Sequence, residues 1–190
     1  VQTIDARGLV TNISNDITLV AYDIVDGDID ALIVGDGLYS SGKHVVSIFA
    51  KDASGNLVES DFNFHINPIV ELTQNIKVEA GSTIAIPVYL TGDAAVYPVV
   101  IDYNVMGVDF ITDSAQLVIE DGDKGSLLVV IPNDAVNGEV VNITLTSSVN
   151  AVLGDGVNIE LAVMVENYSP TLELTFEQNN KPITVVDALG

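Results

Sequence analysis

The chain has no cysteine, no tryptophan and only two histidines, and sets six lysines and arginines against 27 aspartates and glutamates. Each shortage closes a class of function. Without cysteine, neither disulfides nor thiolate metal centres form. A zinc site wants three or more His or Cys ligands, and two histidines fall short. A Ser-His-carboxylate triad has only His44 and His65 to draw on, and alternation puts both on outward strand faces, so no enzyme activity is expected. A formal net charge of −21 excludes nucleic acid as a partner, because binding it requires clustered Lys and Arg on the phosphates. No run reaches the roughly 18 apolar residues of a membrane span, so direct membrane insertion is not expected. A sugar-stacking platform is poorly supplied at 6% aromatic residues.

What is present is aliphatic. Hydrophobic residues make up 48% of the chain and mean hydropathy is +0.41, whereas disordered acidic chains lack Val, Ile and Leu. At 190 residues the chain suits two β domains, each burying its own core. Apolar residues alternate with period two, and no window sustains a helical stripe, so the sequence predicts an all-β fold. Asn-Asp, Asp-Gly and Ser-Gly turn signals recur every 8 to 12 residues or so, the spacing of sandwiches built from short strands. The chain opens on "VQTIDARG", with neither an initiator Met nor a signal peptide, and is expected to be a piece of a longer precursor.

The first module is predicted over residues 1–68. "ITLVAYD" reads as a strand, "DALIVGD" as a short one and "GKHVVSIFAKD" as a longer one, with Val46, Ile48 and Ala50 on one face and Val45, Ser47 and Phe49 on the other. After "DASGN" the chain returns through "LVESDFNFHINP", which places Val58, Phe62, Phe64 and Ile66 inward. In that turn Gly55 suits a positive-φ position and the Asp52 carboxylate can accept backbone N–H groups. Residues 16–67, "DIVDGDID…SGKHVVSIFAKDASGNLVESDFNFHI", resemble bacterial extracellular immunoglobulin-like repeats of the HYR type: an Asp-Gly-Asp segment, a Gly-led strand, then an Ala-x-Asp-x-x-Gly-Asn hairpin.

Pro68 ends a strand by removing a donor, and a second module is predicted over residues 69–167. "IKVEAGSTIAIPVYLTGD", "YPVVIDYNVMGVDF", "SAQLVIEDGDKGSLLVVIPND" and "VVNITLTSSVNAVLGDGVNIELAVMVEN" supply seven strands. Their order resembles the Calx-β module. That resemblance maps calcium-binding acids onto Asp109 in "GVDF", Asp134 in "PNDAVNGEVV" and Glu139, with Ala135, Val136, Val140 and Val141 standing where the family has further acids. From "NYSPTLELTF", residues 168–190 read as the start of a PKD-like or other immunoglobulin-like module, or as an added edge strand on the second. Together these resemblances imply tandem immunoglobulin-like β-sandwich domains.

Calcium is the chemistry that the composition favours, since it takes about six to eight oxygen ligands from loop carboxylates and carbonyls. The stretch "AYDIVDGDIDALIVGDG", residues 21–37, puts Asp23, Asp26, Asp28 and Asp30 within eight residues. A cation would relieve their repulsion; alternatively, the aspartates and Gly27 simply turn the chain. Glu120-Asp121-Gly122-Asp123 and Gly154-Asp155-Gly156 pose the same choice, and hairpin conformation alone explains Asp-Gly there. No loop spells an EF-hand.

The resemblances imply structural or adhesive modules of a larger secreted or cell-surface bacterial protein. These would act as a spacer or protein-interaction region, with neighbouring domains and a protein or surface-glycan partner, and with calcium as a stabilising ion. An accessory region of a secreted hydrolase, such as a protease or polysaccharide-degrading enzyme, is the alternative.

Overall fold

A computed structural model describes residues 1–72, 76–107, 111–165, 173–178 and 181–186. Within them the chain is all-β, and no helix is long and apolar enough to cross a membrane. The first group of strands is β1 (Gln2–Asp5), β2 (Thr11–Asn12), β3 (Ala21–Asp23), β4 (Gly27–Ile29), β5 (Ala31–Ile33), β6 (Leu38–Tyr39), β7 (Gly42–Lys51) and β8 (Leu57–Asn67). Its main sheet has the order β1-β8-β7-β5. The short pairs β2-β6 and β3-β4 stand apart from that sheet.

The β7–β8 hairpin forms as the alternation predicts, with Val46 and Ala50 buried on one face and Val45 exposed on the other. Phe64 and Ile66 are fully buried against Ile4, Ala6, Ile13 and Val46. This core is thin because the layer opposite the sheet is little more than β2-β6 and the segment between them. Three expectations fail in this group of strands. Val58 lies on the inward-facing row of β8 yet is 61% exposed, since the hairpin tip extends past any covering layer. The apolar packing that the pattern of "DALIVGD" predicts for Leu32 and Val34 does not form, because they register with Phe49 and Ser47 on the face turned away from the core and are 54% and 53% exposed. Of "ITLVAYD" only Ala21–Asp23 pairs as strand, while residues 17–20 run outside every sheet.

His44 also departs from expectation. Its register partner is Phe64, which puts the imidazole on the core side of β7, its ring centroid 5.2 Å from Phe64 and 5.1 Å from Tyr39. Nε2 donates to the Ser40 carbonyl at 2.8 Å. His65 faces outward as expected, in a row with Thr3 and Lys43.

The second group comprises β9 (Ile69–Leu72), β10 (Ile76–Glu79), β11 (Thr83–Leu90), β12 (Val99–Met106), β13 (Ile111–Ile119), β14 (Lys124–Val130), β15 (Val140–Val149), β16 (Val152–Leu153) and β17 (Asn158–Met164). It forms two sheets, β10-β17-β15-β12-β13 and β14-β11-β9-β16. Alternate residues of both face one core, with Ile101, Ile143 and Leu161 from the first sheet against Ile86, Val88 and Leu127 from the second. The strands flanking Glu120–Asp123 do not form a hairpin: β13 pairs with β12 and β14 with β11, so this acidic turn carries the chain between sheets. The Tyr97 hydroxyl holds it there, donating to the Gly122 carbonyl at 2.7 Å, while Leu90 N–H bonds the Asp123 carbonyl at 2.8 Å.

Both groups share a topological core. The first strand of the main sheet runs parallel to the last, β1 with β8 and β10 with β17, and the last pairs antiparallel with its predecessor. Between the groups lies a single residue, buried Pro68. Beyond them, β18 (Glu173–Gln178) and β19 (Lys181–Val186) pair only with each other in the sheet order.

The contrast between the second core and its outer face is measurable. Ile143→Ala removes a fully buried side chain and is expected to cost about 2 to 5 kcal/mol in chemical denaturation. Leu128→Ala, at 68% exposure, is expected to stay within about 0.5 kcal/mol of the parent.

Candidate functional site

The acidic stretch singled out in the sequence folds as the β3–β4 hairpin, with Tyr22 opposite Asp28 and Asp23 opposite Gly27. Gly27 has φ of 79°, a left-handed conformation in which glycine is unstrained. Asp23 Oδ1 accepts the N–H groups of Val25 at 2.7 Å and Asp26 at 2.9 Å, which closes the turn. Asp26 reaches out of the hairpin, its Oδ2 accepting the Ala53 N–H at 3.0 Å. Asp28 and Asp30 are exposed on β4 and just beyond it.

Ala53 belongs to the β7–β8 turn, and that turn is built around Asp52. The Asp52 carboxylate accepts the Asn56 backbone N–H at 2.7 Å and its side-chain amide at 2.6 Å. Gly55, with φ of 93°, sits where the sequence places a positive φ. Between the two turns lies a crevice of about 290 Å³, lined among others by Tyr22, Asp23, Ile29, Asp52 and Asn56. Asp23, Asp26 and Asp52 therefore come together at one end of the first group of strands. Asp26, Asp28 and Asp30 are not among the crevice residues, Asp26 meeting the neighbouring turn only through the Ala53 N–H.

Carboxylates here work as hydrogen-bond acceptors. Hydrogen bonds from the Asn56 side chain, then from backbone N–H groups, hold the Asp52 carboxyl below its ordinary value of 3.8. Asp102, on the exposed face of β12, is lowered by Ser147 and then Gln116, both of which donate to it. Asp16 is lowered by Arg7, whose guanidinium grips it through two hydrogen bonds of 3.0 and 2.6 Å. Among the described residues, no group of three or more His, Asp or Glu side chains is arranged to hold a metal ion.

The acids mapped from the Calx-β resemblance divide. Asp109 lies outside the described residues. Asp134 is exposed, and Glu139 is buried, its Oε2 accepting the Val136 N–H at 3.1 Å to close the turn before β15. The loop of Gly154, Asp155 and Gly156 is fixed by its backbone, with Gly154 N–H on the Val70 carbonyl and Leu72 N–H on that of Gly156. Asp102 carries no motif signal; only its place opposite Gln116 and Ser147 in the sheet register could have flagged it. No protein-family model matches the chain, and no curated protein sequence matches it.

The pH dependence of the β7–β8 turn follows from the sign of the Asp52 shift. A depressed folded pKa stabilises the fold fully above the ordinary value of 3.8, and that contribution is lost as pH falls through the lower folded value. Asp52→Ala is expected to lower Tm at neutral pH. In melts across an acid series its deficit should shrink once pH drops below 3.8, with a constant deficit counting against the assignment.

Proposed function

We propose that the chain is a pair of immunoglobulin-like modules serving as a stiff, non-catalytic spacer and protein-interaction region on the outside of a cell. The observation that carries this reading is the junction. β8 ends at Asn67 and β9 begins at Ile69, so the first group of strands passes its chain to the second through Pro68 alone. The Pro68 carbonyl accepts the Val152 N–H at 2.9 Å. Ile69 bonds Thr91 twice, its N–H to Oγ1 at 3.0 Å and its carbonyl to the Thr91 N–H at 2.9 Å.

The Ile69 side chain packs against the first core while its backbone pairs within the second group. Gly154 lies so close that a Cβ there would sit 2.6 Å from Ile69 Cγ2. Gly92 approaches Ser41 in the same manner, a Cβ there falling 2.5 Å from Oγ. A joint with one connecting residue and side chains locked across it resists bending, which is what a spacer requires. The parallel first-to-last pairing repeated in both groups is the arrangement that supports the immunoglobulin-like reading.

Small-angle scattering of the isolated chain is expected to give an elongated particle with a narrow distance distribution. A flexible Gly-Ser insert between Pro68 and Ile69 should broaden it. A compact profile, or one that the insert leaves unchanged, overturns the spacer reading.

Calcium belongs to the same proposal as a stabilising ion for the acidic end of the first module, where Asp23 and Asp52 line one crevice. A ligand held only by the native state adds about 2.7 kcal/mol at a hundredfold excess over Kd. Chelation at fixed ionic strength is expected to lower Tm, and Asp23→Ala combined with Asp52→Ala should abolish that response. A melting curve indifferent to chelator removes calcium from the proposal.

A further inference from the structure

The first group of strands contains a slot where a strand is missing. In the sheet order β1-β8-β7-β5, the outer edge of β5 has no partner among the described residues. Across from that edge, residues 17–20 run outside every sheet, although their composition is that of a strand. Between these two stretches of backbone lies an open groove of about 500 Å³, lined by Ile17, Thr18, Leu19, Leu32, Ile33 and Asp36 among others.

The backbone of β5 is poised for a further ladder. Val34 N–H bonds the Ser47 carbonyl at 2.9 Å, so Val34 and Leu32 direct their main-chain groups toward β7. Alternation in an antiparallel ladder then turns the N–H and C=O of Ala31 and Ile33 toward the groove. An edge of this kind pairs with an added strand, and native chains that keep one solitary usually blunt it with lysine, proline or a bulge. Here the edge is short and has neither lysine nor proline, its residues being Ala31, Leu32 and Ile33, so its protection is its length and the flanking acids.

The side chains define what would fit. Leu32 and Val34 are more than half exposed, with the exposed carboxylate of Asp30 just before β5 and that of Asp36, at the groove, past the bend at Val34 and Gly35. Across the same face of the sheet, Val45 is 63% exposed and Glu59 and Asp61 add two more acids, with Lys43 and Lys51 at the two ends of β7. On the groove side the lining is Ile17, Leu19 and Ile33. A complementary strand is apolar on the face turned to the core and carries a cation toward each end, near Asp30 and Asp36. A second copy of this chain is a poor occupant, because two bodies each of net charge −21 repel.

We propose that the β5 groove is a β-strand-addition site for an extended, cationic segment of another protein, with an alternating apolar face and basic residues over Asp30 and Asp36. This rests on the protein-interaction part of the proposed function and names its surface and the chemistry of the partner. Main-chain pairing to Ala31 and Ile33 supplies affinity, and the carboxylates set register and polarity.

The test uses the full chain and a fluorescent acetylated, amidated peptide of sequence Lys-Ile-Thr-Val-Thr-Val-Lys, titrated by anisotropy at fixed ionic strength. Saturable one-to-one binding is expected, together with slowed hydrogen exchange at the Ile33 amide. Leu32→Lys with Val34→Lys, both at exposed positions that leave the core intact, should weaken binding by about tenfold or more. Asp30→Asn with Asp36→Asn, which retains hydrogen-bonding groups, should weaken it and flatten its salt dependence.

The same peptide N-methylated on alternate residues, or scrambled to break its alternation, should bind at least about tenfold less tightly. Equal binding of the scrambled or methylated peptides would reduce the effect to polyanion attraction and overturn the site. So would the absence of binding, or a dimer of the chain that excludes the peptide. Because the spacer reading is judged on scattering of the free chain, failure of the peptide to bind removes this site and leaves that reading standing.

Discussion

The architecture turns on the passage of the chain from one core to the next within a single residue. Pro68 cannot donate a backbone hydrogen bond, so it ends the β8 ladder, and its fixed φ limits how the chain can leave. Ile69 then belongs to both sides, its side chain against the first core and its backbone against Thr91 and Val152. The first core is small, and Ile69 adds to it from outside. The second group of strands thereby finishes a layer that the first leaves incomplete, and a long linker would forfeit that contribution. Gly92, beside Ser41, marks where close approach across the junction leaves no room for a β-carbon.

A second constraint is the scarcity of cations. Six basic residues cannot neutralise 27 acids, so the carboxylates find other partners. Asp23 and Asp36 bond backbone N–H groups two residues on, Asp26 ties one hairpin to the next, and Asp52 organises a turn with Asn56. Asp102 takes a serine and a glutamine across three strands. Each partner is neutral, so these bonds lose little to salt, whereas an exposed ion pair such as Arg7–Asp16 is screened. The design suits a surface in contact with concentrated electrolyte.

Much of this was legible in the sequence, and each exception has a physical cause. Alternation marked β7, β8, β12 and β15 as strands and, for β7 and β8, most of the inward row apart from His44, and the spelling of residues 52–56 gave both the carboxylate acceptor and the positive-φ glycine. Alternation says which face of a strand is apolar, but not whether anything covers it. Val58 carries the right periodicity and stays exposed because the opposing layer ends short of it, whereas Leu32 and Val34 register with Phe49 and Ser47 on the face turned away from the core. Sheet membership is equally invisible to local pattern: an Asp-Gly turn reads the same whether it closes a hairpin or crosses between sheets, as Glu120–Asp123 does. The convergence of Asp23, Asp26 and Asp52 was half visible, since both turns were recognised but nothing local placed them side by side.

The unequal cores give the two halves different work. In the second group, alternate residues from both sheets interlock across a large apolar interior, and single truncations there are felt strongly. In the first, a handful of buried residues holds a long hairpin whose tip, outward row and β5 edge remain uncovered. A sheet with an unpaired edge and exposed apolar residues invites aggregation unless charge prevents it. The acids flanking Leu32 and Val34 do this against other copies of the chain, which carry the same sign. The same acids attract a strand of opposite charge, so one arrangement both suppresses self-association and selects a partner. The thickly packed half and the locked junction hold that edge at a fixed place and orientation. The proposed spacer with a binding edge would need this division: rigidity in one group of strands, an unfinished sheet in the other.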